Sequence, residues 1–230
     1  MKEMIDVRGL RVRYGDYEAV KGVSFALGAR EILGIVGESG SGKSTIAKAI
    51  MGLVSPSVGT IVNRARSTQM IFQDAVGSLN PRMTVRQTLE EVIRVRRATR
   101  RKPYELVEMV GLSDAVLNQY PREMSGGQCQ RVSIARALAC EPEVLVADEP
   151  VSALDVSVQA RVLNLLRDLR SELGLSILLI AHDLAVVKNV CDRICVMERG
   201  LFVDAGNAEA VFEHPKSEYT KRLLTAVPRL

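Results

Sequence analysis

The chain has 230 residues, 47% hydrophobic and 25% charged, an ordinary balance for a globular protein long enough to bury a sizeable core. With 31 Lys and Arg against 27 Asp and Glu the formal charge is only +4, and the basic residues cluster only at 94–102, which reads as a solvated helix face or loop rather than a nucleic-acid surface. No apolar run approaches the roughly 18 residues of a membrane helix and residues 1–6 lack a signal-peptide core, so a cytoplasmic chain is expected.

In chain order, residues 5–15 and 23–27 partly alternate apolar and polar side chains between glycine turns and read as antiparallel strands. Tyr14 ends the first of them, where its ring either stacks on a base or serves the fold alone. The apolar run 32–36 reads as a buried strand and 45–51 as a helix. Between them, Gly37-Glu38-Ser39-Gly40-Ser41-Gly42-Lys43-Ser44-Thr45 fits G-x-x-x-x-G-K-[ST], the P-loop that cradles nucleotide phosphates. Its glycines let successive N–H groups turn inward as an anion nest, and the following helix adds the positive end of its dipole. Lys43 then reaches the β- and γ-phosphates, and the Ser44 hydroxyl is placed to ligate Mg²⁺, which takes hard oxygen ligands.

Residues 55–59 read as a turn and 67–72 as a short strand ending at Gln73, whose side-chain oxygen would enter the crevice at the carboxyl end of a nucleotide-binding sheet. From 76 to 120 the pattern becomes helical, with apolar spacing over 86–93 and 104–110 broken by a charged connector and Pro103. That insertion ends at a Ser125-Gly126-Gly127 turn opening another helix, a second place where backbone N–H groups could meet phosphate. Residues 143–149 give a buried strand ending in two carboxylates: Asp148 suits a Mg²⁺ shell and Glu149 the water attacking the γ-phosphate. A helix over 158–173 follows Ser152-Ala153-Leu154-Asp155, and the apolar strand 177–181 ends at His182, one of two histidines and in the same topological place as Gln73 and Glu149. Strand-like stretches at 193–197 and 201–204 and a helical tail complete a layered α/β pattern with a partly parallel sheet. The 4 cysteines show no metal-ligand spacing, and Cys191 and Cys195 are expected in packed core.

Taken together, these pieces resemble the ATP-binding subunits of ABC transporters over nearly the whole chain. Met124-Ser125-Gly126-Gly127-Gln128 looks like the family signature, with Met for the usual leading Leu; Gln73 matches the Q-loop, Asp148 and Glu149 the Walker B pair, Ser152 to Asp155 the D-loop, and His182 the switch histidine. Tyr14 matches the A-loop aromatic that stacks on adenine. The resemblance implies an α/β P-loop NTPase fold, an ABC-type ATPase with an N-terminal antiparallel β subdomain and a helical insertion. It implies one domain over 1–230, with the P-loop core and β subdomain at 1–75 and 121–230 and the helical subdomain at 76–120.

By the same resemblance ATP and Mg²⁺ are the cofactors. Gly37, Ser39, Gly40, Ser41, Gly42, Lys43, Ser44 and Thr45 surround the phosphates; Ser44, Gln73 and Asp148 serve the metal; Glu149 is the base, and His182 holds the γ-phosphate. Ser125 and Gly127 contact the γ-phosphate bound by the opposite domain of a head-to-tail dimer, with Gly126, Gln128 and Asp155 also counted among the nucleotide-binding residues. Implied partners are a second ABC ATPase chain, identical or paralogous, and membrane permease subunits, with no nucleic acid. The chain would then lie on the inner face of the cell membrane as a peripheral subunit. Residues 73–74, 78–85 and 214–228 narrow the resemblance to importers of oligopeptides, dipeptides and nickel, although Ser217-Glu218 stand where a second His-Pro is usual. The alternative it leaves is a soluble ABC ATPase of a cytoplasmic complex, such as a phosphonate-degradation accessory protein.

Overall fold

The computed structural model describes residues 2–96 and 99–225; Arg97 and Ala98 of the basic run, Ala226, Val227 and Pro228 of the tail motif, and Met1 lie outside the described residues. Strands β1 (Glu3–Tyr14) and β2 (Tyr17–Gly28) form a long antiparallel hairpin. The second strand was expected to start at Val23, yet it begins at Tyr17 and continues through a bulge. Leu10 pairs with Val23 and Arg11 with Lys21, leaving Gly22 unpaired at φ 101°, a conformation glycine adopts without strain. After β3 (Ile32–Val36) and α1 (Lys43–Ile50), β4 (Val58–Asn63) joins the other side of β1 to give the sheet β2-β1-β4. This strand, read in part as a turn, is exposed at five of its six positions, so it carries no alternation to betray it.

The second sheet uses β5 (Thr68–Ile71), β6 (Val144–Asp148), β7 (Ser176–Ala181), β8 (Arg193–Glu198) and β9 (Leu201–Asn207) in the order β5-β6-β7-β3-β8-β9. All its pairings are parallel except β8 with β9. Its central strands are buried on both faces, which is why they read as continuous apolar runs. Leu33, Ile35, Val146, Leu178 and Ile180 face α1 and the β1–β2 hairpin. Their neighbours Ile32, Val36, Leu145, Ile177 and Leu179 face the helices on the other side.

Those helices are α2 (Ala75–Ser78), α3 (Val85–Arg96), α4 (Pro103–Met109), α5 (Gly126–Leu138), α6 (Val156–Leu173), α7 (Leu184–Val187), α8 (Ala208–Glu213) and α9 (Glu218–Thr225). Leu89 of α3 and Leu106 of α4 are fully buried and join the same apolar cluster as the sheet, with α5 packed against α2, α3, α4 and α6. All four cysteines are free and buried. Cys191 and Cys195 pack on opposite faces of the sheet, as core rather than as a pair, and burial pushes both thiol pKa values up. Among the described residues no helix is long and apolar enough to cross a membrane. The sheet order brings the carboxyl ends of β3, β5, β6 and β7 to one edge, where an open α/β sheet binds its ligands.

Candidate nucleotide site

The loop leaving β3 is shaped by what lies beneath it. A Cβ on Gly37 would sit 2.1 Å from the Met197 carbonyl oxygen, and one on Gly42, at φ 110°, 2.4 Å from that of Ala19. Strands β8 and β2 therefore press so closely under the loop that only glycine fits at both positions. Gly42 caps α1 with no side-chain acceptor, so the first-turn amides are left to an anion from outside.

Lys43 is 3% exposed; its Nζ donates to the Glu38 carbonyl at 2.8 Å and lies 3.9 Å from Glu149 Oε1. Burial lowers its pKa, and the charges of Glu149, Asp148 and Glu38 oppose that fall. The next residue, Ser44, donates its Oγ to Asp148 Oδ1 at 2.8 Å. Burial raises the Asp148 pKa; the Ser44 hydrogen bond works against the rise and neighbouring Glu149 adds to it.

From the end of β5, Gln73 Nε2 donates to Glu149 Oε2 at 3.0 Å, and Ser152 Oγ bonds the Glu149 carbonyl at 3.1 Å. Glu149 has φ 45°, an uncommon backbone for a non-glycine residue, held by its N–H on the Ile180 carbonyl at 3.0 Å. Five expected residues thus meet: Lys43, Ser44, Gln73, Asp148 and Glu149. His182 is exposed just after β7, and Tyr14, 47% exposed, ends β1.

The other expected residues lie elsewhere. Ser125 caps α5: its Oγ accepts from Gln128 N at 3.3 Å while Gln128 Oε1 accepts from Ser125 N at 2.8 Å. No hydrogen bond or ion pair joins residues 125–128 to residues 37–45 among the described residues. Gly127 has a packing reason of its own, because a Cβ there would meet Val158 Cγ1 at 2.5 Å. Asp155 caps α6, its Oδ1 accepting from Ser157 Oγ at 2.8 Å and from Val158 N at 3.0 Å, and these bonds hold its pKa down. One residue at the loop escaped the sequence reading of the site: the Tyr219 hydroxyl of α9 accepts from Glu38 N at 3.0 Å, and its place in the tail motif was its only signal.

Residues 20–152 match the family model of the ABC transporter. The oligopeptide transport ATP-binding protein OppF of Haemophilus influenzae is 47% identical over 232 residues, covering 92% of this chain and 70% of that protein. Among solved structures, cbiO1 from Clostridium perfringens, described as part of the ABC transporter complex cbiONQ, aligns with a TM-score of 0.80 at 28% identity, covering 100% of this chain and 97% of that one. The ATP-binding cassette MJ0796, in a dimeric post-hydrolysis state bound to ADP and Pi, aligns with a TM-score of 0.77 at 27% identity, covering 89% and 99%. With the phosphate loop, the paired strand-end carboxylates and the sheet order in place, these matches establish that the chain belongs to the ABC transporter family, as one of its ATP-binding, ATP-hydrolysing subunits.

Proposed function

We propose that this ATPase drives a peptide importer, with the convergence of Lys43, Ser44, Gln73, Asp148 and Glu149 at one sheet edge as its catalytic centre. The observation that carries the site assignment is that convergence: residues from three separate segments, 43–44, 73 and 148–149, touch through side chains where the phosphate loop opens. The OppF protein matched over most of the chain supports a peptide as the solute moved.

In this reading ATP lays its phosphates on Gly37, Ser39, Gly40, Ser41, Gly42, Lys43, Ser44 and Thr45, and its adenine on the exposed Tyr14 ring. Lys43, whose pKa burial lowers against the opposing charges of Glu149, Asp148 and Glu38, takes the β- and γ-phosphate oxygens. Ser44 and Asp148, with Gln73, would hold Mg²⁺. The donor set fits: two hard oxygens 2.8 Å apart, one on a buried carboxylate whose charge burial disfavours, which a cation would compensate. Such an ion supplies charge neutralisation at the phosphate oxygens. Glu149 accepts the proton of the attacking water at a carboxylate oxygen, kept in place by Gln73 and Lys43. His182 steadies the γ-phosphate.

Ser125, Gly126, Gly127, Gln128 and Asp155 complete the site of a second ATPase chain, identical or paralogous. Among the described residues no hydrogen bond or ion pair joins 125–128 to this chain's own loop, which supports a role in trans. Residues 1–75 and 121–230 act as the P-loop core with its β subdomain, and 76–120 as the helical subdomain. Between the end of β5, α2, α3 and α5 lies a cavity of about 870 Å³, lined by Phe72, Val92, Val95 and Arg136 among others. Phe72 and Val95 are 41% and 69% exposed there, which supports this groove as the dock for membrane permease subunits and hence a place on the inner face of the membrane.

Glu149→Gln tests the chemistry. With its partner ATPase and permeases present, the variant should bind ATP as before while phosphate release falls by about 10²-fold or more, the scale of a lost general base. Undiminished release would refute the base assignment.

A further inference from the structure

We propose that Tyr219 is a positioning residue of the nucleotide site, its hydroxyl setting the phosphate loop from the C-terminal tail helix before ATP arrives. The inference rests on residues 37–45 being the nucleotide site. Helix α9 is itself well anchored. Asp204 of β9, 6% exposed, accepts from Lys216 N at 2.8 Å and Ser217 N at 3.4 Å, and Ser217 Oγ accepts from Tyr219 N at 3.1 Å. The Tyr219 ring is 5% exposed and belongs to the apolar cluster under the sheet, with the Arg222 guanidinium 5.9 Å from its centroid.

From that fixed base the hydroxyl oxygen takes the Glu38 N–H at 3.0 Å. Glu38 is the hinge of the loop, because its carbonyl accepts both Lys43 Nζ at 2.8 Å and Ser41 N at 3.2 Å. The peptide planes on either side of Glu38 are therefore held, one by the tail and the other by the loop's own lysine. A cavity of about 540 Å³, walled by residues 38–41 on one side and by Tyr219 and Arg222 on the other, separates loop from tail around this bond. Tyr219 bridges a gap that side-chain packing leaves open. Loss of the hydroxyl frees the Glu38 amide, and ATP must then order the loop at the expense of its own binding energy.

The test uses the full chain with a fluorescent ATP analogue, and its assembled complex for turnover. Tyr219→Phe keeps the ring and should raise the nucleotide Kd about 2- to 10-fold, the range one neutral hydrogen bond commands, with kcat at saturating ATP unchanged. In the nucleotide-free wild type the Glu38 amide should exchange more slowly than those of Ser39 and Gly40, and Tyr219→Phe should abolish that difference. Unchanged affinity in Tyr219→Phe, with or without a lower melting temperature, overturns the proposal, as does an unprotected Glu38 amide in the wild type. Lys43→Ala separates the two levels: if it loses binding while Tyr219→Phe does not, only the positioning role fails. If Lys43→Ala binds normally, the site assignment falls and the proposal with it.

Discussion

Asp148 shows what this site costs at the scale of one residue. The residue is 5% exposed and among the described residues its carboxylate has a single hydrogen bond, from Ser44, so burial raises its pKa above the usual value near 3.8. The folded protein then binds the proton more tightly than the unfolded chain. The contribution of Asp148 to stability is greatest in acid and declines as pH rises from about 3.8 through the raised value. At pH 7 the ionised group is a net burden on the nucleotide-free fold. Asp148→Asn keeps an acceptor for Ser44 and should raise Tm by about 2–4 °C at pH 7, the shift ~1 kcal/mol produces in a domain of this size. The gain should vanish below the usual carboxylate pKa, and ATP hydrolysis should fall sharply. Calorimetry across pH and a phosphate-release assay would check both arms. Lys43, Ser44, Asp148 and Glu149 were readable because each stands in a contiguous pattern of strand, loop and helix. Their mutual contacts were not: Gln73 lies 76 residues from Glu149, and Tyr219 lies 181 from Glu38.

At the scale of elements, the start of α5 serves two demands at once. Gly127 lets α5 approach α6, where a Cβ would come within 2.5 Å of Val158 Cγ1, and in the proposed function it also faces a partner's phosphate. Gly127→Ala should cost about 1–3 kcal/mol, as overpacking does. Adding Val158→Ala should recover part of that stability by making room. Turnover in the assembled complex should stay low in the double variant, to the extent that the methyl, which points at α6, still displaces the start of α5 and with it the Gly127 backbone proposed to meet the partner's phosphate. Recovery of both stability and turnover would leave Gly127 a packing residue only. The helices of the insertion were legible from apolar spacing, as were the central strands from their unbroken apolar runs. By contrast β4 and the first half of β2 were not, because an edge strand exposed along its length and a strand crossing a glycine bulge both lack the period-two signal.

At the scale of the molecule, the groove beside the helical insertion brings the exposed side chains of Phe72 and Val95 to one cavity. Phe72 follows β5 directly and precedes Gln73, so a partner seated there presses on the residue that touches Glu149. Phe72→Asp lies on the surface and should change stability by less than about 0.5 kcal/mol. It should weaken co-purification with the permeases at least tenfold while nucleotide affinity stays at the wild-type value. Full permease capture by this variant would move the dock elsewhere.

Motif by motif, the chain alone disclosed a phosphate loop, a strand ending in two carboxylates, a second glycine-rich helix start and a histidine after a strand, because each of these is contiguous and its backbone conformation is decided within a few residues. Which of them form one site depended on the order β5-β6-β7-β3, which sets Gln73, Glu149 and Lys43 side by side and leaves Ser125 to Gln128 outside. The same holds for the tail, whose tyrosine reaches the loop only because Asp204 and the buried ring fix α9 against the sheet. Such pairings are made by strand register and packing across the whole core, and no local period in a sequence encodes them.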